Sequence, residues 1–418
     1  MIEGLVGLDA PAHRLDVEAL RAEFPILARK VHGRPLVYLD SAASAQKPRA
    51  VIEAMARAAE TAYANVHRGL HALSNEATDA FEAAREAARG FLGAARPEEI
   101  VFTANATDAI NLVAASYGRP RLAPGDEIIL SEMEHHSNIV PWDFLRREKG
   151  VVIRWAPVTE SGAFDLAAFT ELLSERTKIV AITHMSNVLG TVTPAREIAR
   201  RAHEAGAVVL FDGSQAAVHL PVDVQAIDAD FYVCTGHKLY GPTGIGLLYG
   251  RYDLLADMPP YRGGGEMIEV VSREGVSYNA PPHRFEAGTP AILEAVGLHA
   301  ALDFLRRLGR SSVHAHEAGL LAYASEALGS VKGLRIIGTA PGKGAIVSFV
   351  IEGTHPHDLA TIIDRQGVAV RAGHHCAQVL MDRFGVSATA RASFAAYSTR
   401  GEVDALVAAL EKARTMLS

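Results

Sequence analysis

Residues 230–250 read Asp-Phe-Tyr-Val-Cys-Thr-Gly-His-Lys-Leu-Tyr-Gly-Pro-Thr-Gly-Ile-Gly-Leu-Leu-Tyr-Gly, and they set one lysine between an apolar run and a glycine-rich turn. Lys238 comes shortly after the strand-like run Phe231–Val233, and polar side chains lie on both sides of it: Thr235, His237, Tyr240 and Thr243. A strand-to-turn junction holds a side chain in place, which suits a lysine whose amine takes part in a reaction. The alternative is an ordinary surface lysine beside a loop. The apolar setting favours the reactive amine.

The composition and net charge of the 418-residue chain limit the class of protein to which it can belong. Hydrophobic residues make up 49% and charged residues 21%, which is normal for a globular protein of two domains. The net charge of -7 argues against a nucleic-acid-binding protein, and no apolar stretch is long enough to cross a bilayer. We find no signal-peptide pattern, and the two cysteines form no disulfide framework. The sequence predicts a cytoplasmic protein.

Apolar runs alternate with helical patterns over about 200 residues. The predicted strands are Ile100–Thr103, Glu127–Ser131, Val151–Trp155, Lys178–Thr183, Val208–Asp212 and Phe231–Cys234. Most of these runs are apolar throughout, which indicates a sheet covered on both faces. Strand and helix in alternation predict an α/β domain with a mostly parallel sheet, whose ligands bind beyond the carboxyl ends of the strands.

Outside this region strands and helices no longer alternate regularly. A short amphipathic helix is predicted over Asp16–Leu27. The Gly- and Pro-rich stretch Pro259–Pro290 is predicted to be a long loop that is functional or lies at an interface. The helix Ile292–Leu308 then leads into an α+β pattern. We therefore predict a large domain over residues 36–299 and a small α+β domain formed by residues 1–35 together with 300–418.

Asp212 gives Lys238 a chemical context. It ends the apolar run Val-Val-Leu-Phe, where a buried strand delivers its last side chain to the binding edge. Pyridoxal 5'-phosphate (PLP) needs a lysine amine and an acidic partner for its pyridine nitrogen. An ordinary turn aspartate is the alternative, but the lysine one strand later favours a PLP site.

Donors for a phosphate group occur where strands end. Thr107 lies where a strand gives way to a helix, and Thr235 and His237 add further donors. His135 and His136 follow another strand end, where an imidazole would stack on an aromatic cofactor. Paired histidines also suggest a metal, but adjacent residues of an extended chain point to opposite sides, so we predict no metal site.

The segment Arg371-Ala-Gly-His-His-Cys376 is predicted to be a loop after the strand Val368–Val370. Its glycine, histidines and arginine form a polar, partly cationic setting that favours a thiolate at Cys376. Cys234, inside Phe-Tyr-Val-Cys, is interpreted as a structural cysteine. Arg371 and Arg391 are candidates for binding a substrate carboxylate.

These motifs together resemble one known family. His237-Lys238-Leu-Tyr-Gly-Pro-Thr-Gly-Ile-Gly, Arg371-Ala-Gly-His-His-Cys376 and Arg391-Ala-Ser-Phe are similar to the SufS-type (group II) cysteine desulfurases, which are class V aminotransferases of PLP fold type I. The likeness runs from about Leu39 through Thr399. It implies a large domain with a mostly parallel seven-stranded sheet sandwiched by helices, plus a smaller α+β C-terminal domain.

The resemblance also implies roles for single residues. Lys238 would hold PLP and move protons, and Cys376 would attack the substrate sulfur and become a persulfide while alanine is released. The implied cofactor-binding residues are Ala106, Thr107, His135 (also catalytic, by stacking on the ring), Asp212, Gln215, Thr235, His237 and, from the other subunit of a homodimer, Thr289. The implied substrate-binding residues are His67, Asn187, Arg371 and Arg391. Ala106 replaces a family hydroxyl and would supply only its backbone N–H.

The implied reaction is conversion of L-cysteine to L-alanine, with the persulfide passed to a SufE- or SufU-like acceptor for iron–sulfur cluster assembly. A selenocysteine lyase of the same family remains an alternative. So does a protein of another class, a PLP-fold partner that has lost its chemistry. A zinc hydrolase is the third alternative.

Overall fold

The computed structural model describes residues 13–417. Its strands are β1 (Lys30–Val31), β2 (Arg34–Pro35), β3 (Val37–Tyr38), β4 (Ile100–Thr103), β5 (Glu127–Ser131), β6 (Val152–Ala156), β7 (Thr177–Thr183), β8 (Val208–Asp212), β9 (Phe231–Thr235), β10 (Gly246–Gly250), β11 (Ile268–Val271), β12 (Val276–Tyr278), β13 (Leu334–Ile337), β14 (Ile346–Ile351), β15 (Val368–Ala369), β16 (Arg371–Gly373) and β17 (Thr389–Ser393).

Its α-helices are α1 (Val17–Ala22), α2 (Arg49–Thr61), α3 (Ala72–Leu92), α4 (Ala106–Leu112), α5 (Arg119–Arg121), α6 (Val140–Lys149), α7 (Leu166–Leu172), α8 (Ala195–Glu204), α9 (Ala216–His219), α10 (Tyr252–Asp257), α11 (Ile292–Leu308), α12 (Arg310–Gly329), α13 (Pro356–Asp364), α14 (Gln378–Arg383) and α15 (Arg400–Leu417). A π-helical segment, Val113–Gly118, joins α4 to α5, and 3₁₀ turns include His136–Asn138 and Gly236–Lys238. No described helix is both long enough and apolar enough to span a membrane.

The large central sheet is mostly parallel. Within residues 13–417 it has seven strands in the order β4-β10-β9-β8-β7-β5-β6, and only β10 runs antiparallel to its two neighbours. Neighbouring residues of one strand pack into different cores: Ile129 lies in one apolar cluster, and Ile128 and Leu130 lie in the other. Since side chains alternate across a strand, helices cover the sheet on both faces, as predicted.

The carboxyl ends of the central strands meet at one edge. Thr183 at the end of β7 is in register with Asp212 at the end of β8, and Asp212 is in register with Val233 of β9. β5 ends beside β7 at Ser131. This edge therefore gathers the last side chains of four neighbouring strands.

A second, antiparallel sheet in the order β13-β14-β17-β16 forms the centre of the C-terminal region. Arg371 of β16 lies directly opposite Arg391 of β17, and α12, α13 and α15 contribute to the apolar core beside this sheet. The short β3 pairs in parallel with β15, so residues 37–38 contact the C-terminal region. The predicted division into domains stays a prediction, and residues 1–12 lie outside the described part.

Four local predictions need correction. The predicted helix Asp16–Leu27 ends at Ala22, because Pro25 forces Phe24 into an extended conformation before a 3₁₀ turn. The glycine-rich turn predicted after Lys238 ends before Gly246, where β10 begins, and β10 is a full strand of the central sheet. The loop 259–290 contains the hairpin β11–β12. The loop before Cys376 begins as strand β16.

Candidate active site

A cavity of about 480 Å³ opens at the carboxyl edge of the central sheet. It is bordered by the strand ends, the start of α4 and the C-terminal region. Among its lining residues are twelve that the sequence predicted for cofactor, substrate or catalysis: Ala106, Thr107, His135, Asn187, Asp212, Gln215, Thr235, His237, Lys238, Arg371, Cys376 and Arg391. Side chains separated by up to 285 residues in sequence (Ala106 to Arg391) thus border one space.

Lys238 ends the 3₁₀ turn that follows β9 and borders the cavity together with Asp212 of β8. Desolvation by the surrounding protein lowers the pKa of Lys238 to about 8, although the Asp212 carboxylate acts in the opposite direction. The turn is held from the N-terminal region: the His237 carbonyl accepts hydrogen bonds from the Ala45 N–H (3.1 Å) and from Lys47 Nζ (3.0 Å). The amine is therefore both fixed in place and easily deprotonated.

One corner of the cavity is suited to a phosphate group. Asn105 caps α4 by accepting a bond from the Asp108 N–H (2.9 Å), and Ala106 and Thr107 form the first turn. The Thr235 hydroxyl oxygen is buried and has no hydrogen-bond partner within the described chain. A buried, unpaired hydroxyl costs free energy unless a ligand binds it. The donors here fit the phosphate of PLP.

His135 lines the cavity as a neutral imidazole. Its Nδ1 accepts a hydrogen bond from the Ser137 N–H (3.2 Å), so a neutral ring carries its proton on Nε2. Burial, together with the positive charge of Lys238, lowers the pKa of His135 to about 4. A neutral aromatic ring is suited to stacking on the pyridine ring of a cofactor.

Arg391 borders the cavity, and one of its donors is unpaired. Its Nη1 donates to the Asn187 carbonyl (2.9 Å) and its Nη2 to Asp40 (3.1 Å), but its buried Nε has no partner among the described residues. Arg391 is 3% exposed, so an unpaired N–H at this place is costly. A carboxylate in the cavity would satisfy it.

Cys376 lies at the tip of a turn. His375 and Cys376 both adopt positive φ, 52° and 55°, which is uncommon for residues other than glycine. The turn is held by two groups of the large sheet region: Asn187 Nδ2 donates to the His375 carbonyl (2.9 Å), and the His136 N–H donates to the Cys376 carbonyl (2.7 Å). Cys376 is a half-buried free thiol, whereas Cys234 is a fully buried one.

His67 and Thr289, the other two predicted site residues, do not line this cavity. The His67 ring lies 5.1 Å from the His283 ring and 2.8 Å from Glu82. This group is the one set of possible metal ligands within residues 13–417. The Arg85 guanidinium donates to the same Glu82 carboxylate at 2.8 Å, and a second cation there would be repelled.

Several residues that border or support the site were not predicted from the sequence, and three of them make contacts that matter for its geometry. Asp40 binds Arg391, His136 binds the Cys376 turn, and the buried His375 has an unpartnered Nδ1 beside the cavity. The position of Asp40 directly after a short apolar run was a sequence signal that it lies at the binding edge. His136 belongs to a His-His pair of which only His135 was assigned, and neither member of the pair His374–His375 was assigned a role.

Comparisons with known proteins agree with this geometry. The family model for aminotransferase class-V matches residues 37–406. A probable cysteine desulfurase of Streptomyces coelicolor is 51% identical over 407 residues, covering 96% of this chain and 97% of that protein. A cysteine desulfurase of Pectobacterium atrosepticum is 51% identical over 96% of this chain and 98% of its own length.

The likeness extends to solved structures. The crystal structure of the cysteine desulfurase CsdA (S-sulfonic acid) from Escherichia coli has a TM-score of 0.91 and 41% identity. It covers 97% of this chain and 100% of the CsdA chain. Both the large mostly parallel sheet and the helical layers are therefore those of PLP fold type I. The chain belongs to the aminotransferase class-V family, among its cysteine desulfurases.

Proposed function

We propose that this enzyme converts L-cysteine to L-alanine with PLP as cofactor and carries the released sulfur on Cys376. The observation that carries the proposal is the shared cavity of Lys238, Asp212, Cys376 and the unpaired Nε of Arg391. A reactive amine, an acid for a pyridine nitrogen, a thiol and a carboxylate donor are the groups that this reaction requires.

The chain's own residues would hold the cofactor at several points. Thr107, Thr235 and the Ala106 N–H face the phosphate corner, Asp212 would keep the ring nitrogen protonated, and His135 would stack on the ring. When bound, PLP supplies an electron-poor ring that accepts the electron pair freed at the substrate α-carbon. Lys238, with its pKa lowered to about 8 by desolvation, would take up and return protons.

The substrate would be held by its carboxylate on Arg391 and Asn187, with Arg371 beside them. This anchoring leaves the substrate sulfur free to approach Cys376. The Cys376 thiolate attacks that sulfur: an S–S bond forms, the carbon–sulfur bond breaks, and its electron pair stays with carbon. That carbon takes up a proton to become the methyl group of alanine, and the products are alanine and a Cys376 persulfide.

The remaining predictions extend the proposal beyond one chain. We propose a homodimer in which Thr289 and His67, both outside their own cavity, approach the site of the partner. We further propose that a SufE- or SufU-like protein accepts the persulfide for iron–sulfur cluster assembly. Two free thiols, one of them reactive, suit a reducing compartment such as the cytoplasm.

The test is to measure alanine and persulfide formation from L-cysteine in the wild type, Cys376→Ala and Cys234→Ala. We expect Cys376→Ala to lose at least about a hundredfold in alanine formation, because the nucleophile is removed. Cys234→Ala, the matched control, keeps the activity since Cys234 is fully buried in the sheet. Cysteine turnover that survives in Cys376→Ala would contradict the persulfide mechanism.

The same variant separates the desulfurase from the selenocysteine lyase alternative. Selenium leaves carbon more readily than sulfur does, so a Cys376→Ala protein that loses its cysteine activity and keeps its selenocysteine activity needs the thiol only for sulfur. A wild-type protein that turns over selenocysteine but not cysteine would replace the proposed substrate.

A further inference from the structure

Glu134 is a fully buried carboxyl group that lies next to the site but does not line the cavity. Its Oε1 accepts hydrogen bonds from the Thr183 N–H (2.9 Å) and from the Ser131 hydroxyl. Its Oε2 accepts one from Asn138 Nδ2 (2.7 Å). Three donors therefore converge on one carboxyl group.

Two of these three groups, the Thr183 N–H and Asn138 Nδ2, can only donate. The Thr183 donor is a backbone N–H. The Asn138 amide is fixed by two further bonds, because its Nδ2 also donates to the Ala181 carbonyl (3.1 Å) and its Oδ1 accepts from Trp142 Nε1 (3.0 Å). Burial raises the pKa of Glu134 to about 8, and the three hydrogen bonds oppose that rise. Each oxygen therefore accepts a hydrogen bond from a group that can only donate, and this holds for the ionised and for the protonated carboxyl group.

The segment that Glu134 holds carries two groups of the site. Residues 131–138 form the turn between β5 and α6, and Glu134 ties this turn to the end of β7 at Thr183. His135, the next residue, faces the cavity. His136 donates its N–H to the Cys376 carbonyl (2.7 Å), and its Nε2 accepts from the Gln378 N–H (3.2 Å).

We propose that Glu134 is a positioning residue whose buried carboxyl group fixes the 131–138 turn and thereby sets the positions of both His135 and the Cys376 turn. One anchor would thus align the side chain that faces the cofactor with the nucleophile of the C-terminal region. The inference rests on the proposed function only in the roles given to His135 and Cys376.

Glu134→Gln tests the anchor with almost no change of volume. Whichever way the amide is turned, its NH₂ group faces either the Thr183 N–H or Asn138 Nδ2, and both are donors. An unmet buried donor costs about 1–3 kcal/mol, so the turn shifts to relieve it. We expect PLP affinity to fall roughly tenfold and kcat to fall at nearly constant KM, since no residue that would bind the substrate is changed.

The apoprotein gives a readout that needs neither cofactor nor turnover. The rate of Cys376 alkylation by iodoacetamide reports the setting of the cysteine turn, and the fully buried Cys234 does not interfere. In Glu134→Gln we expect this rate to change by about threefold or more, because the His136 contact with the turn is displaced. If the wild type fails to form a persulfide, the proposed function is wrong, but this measurement still decides the role of Glu134.

Glu127→Gln is the matched control. Glu127 lies on β5 like Ser131 but at the opposite end of the strand, is 2% exposed, and accepts hydrogen bonds from Ser174 and Arg154. Its substitution should lower the melting temperature and leave PLP affinity and alkylation unchanged. A Glu134→Gln protein with the same pattern as this control overturns the inference.

Ser131→Ala keeps the test decisive if Glu134→Gln does not fold. It removes one of the three hydrogen-bond partners and leaves the Glu134 carboxyl group in place. The alkylation rate and PLP affinity should then shift in the same direction as in Glu134→Gln, by a smaller factor. Values within 20% of the wild type for both quantities would rule out the anchoring role.

Discussion

Lys238 shows how the fold changes the chemistry of a single side chain. Its pKa falls from an ordinary value of 10.5 to about 8 because the surrounding protein desolvates the ammonium, despite the attraction of Asp212. In the unfolded chain the amine keeps the higher value. Between these two pKa values the unfolded state binds more protons, so this group makes the apoprotein more stable as the pH rises from about 8 to 10.5.

The same shift predicts the pH dependence of cofactor uptake. Only the neutral amine reacts with an aldehyde, so the rate at which apoprotein takes up PLP should rise with pH and level off just above 8. Stopped-flow absorbance after mixing with PLP measures this rate. In Asp212→Asn the plateau should begin at lower pH, because the carboxylate that raises the pKa of Lys238 is gone. A rate that climbs steadily to pH 10 would contradict the lowered pKa.

Sequence motifs predict the reactive side chains but not the partners that hold them. Lys238, Asp212 and Cys376 stand out because unusual residue types follow strand-like runs. Asp40, which binds Arg391 at 3.1 Å, is 351 residues away from it in the chain, and no local pattern connects the two. Such pairs depend on tertiary contacts, and only the folded structure reveals them.

At the scale of elements, β10 is the least expected part of the site. It contains two glycines and follows a Pro-Thr-Gly turn, so its composition resembles a loop more than a strand. Gly246 nevertheless lies between two strands, in register with Thr103 of β4 and Thr235 of β9. A Cβ at Gly246 would come within 2.6 Å of the Asn105 backbone, so glycine allows the start of α4 to approach the sheet.

Gly246→Ala should therefore disturb the phosphate corner. The methyl group would push Asn105, which caps α4, away from the sheet, and we expect a loss of about 1–3 kcal/mol in stability. PLP affinity should fall as well, because Ala106 and Thr107 move with the helix start. Urea unfolding of the apoprotein and a PLP titration measure the two effects.

Gly319→Ala in α12 is the matched control for that variant. Apart from its chain neighbours and the backbone of its own helix, nothing lies within 4 Å of the added methyl group, and alanine should stabilise the helix by about 0.5–1 kcal/mol. The prediction for Gly246 fails if its alanine variant binds PLP as tightly as the Gly319 variant does.

Strands and helices with a regular apolar pattern are predicted well, because that pattern determines which of their side chains are buried. The alternating strands and helices from Ile100 to Asp212 are examples, since their apolar runs have to be covered on both faces. The hairpin β11–β12 was missed within the 259–290 stretch. Its strands are short and exposed, so no burial pattern marks them.

At the scale of the whole molecule, the proposal that His67 and Thr289 serve the site of a partner chain can be examined from where the two residues lie. The His67 ring contacts the His283 ring, and the neighbouring Arg68 pairs with Glu266 at 3.0 Å. Gly265, which precedes Glu266, accepts a hydrogen bond at its carbonyl from the N–H of Gly288, the residue before Thr289 (3.0 Å). The segments that carry His67 and Thr289 are thus linked on one surface, outside the cavity. Leu70, fully exposed, adds an apolar side chain to this segment.

A mixed dimer tests whether that surface completes the partner's site. A Lys238→Ala chain has no amine, and a chain with His67→Ala and Thr289→Ala lacks the two groups proposed to cross between subunits. In a dimer of the two variants, the chain that keeps Lys238 receives intact His67 and Thr289 from its partner. Equal mixing should therefore restore about a quarter of the wild-type rate of alanine formation, since half of the dimers are mixed and each has one intact site.

Both parent variants must be measured alone, by alanine formation and by native mass spectrometry of differently tagged chains. Mixed dimers that form without recovering activity would show that each site draws these residues from its own chain. A double variant as active as the wild type would show that neither residue contributes. Recovery near a quarter is expected only if the two segments reach across the dimer, because the cavity of the Lys238→Ala chain cannot turn over whichever partner it binds.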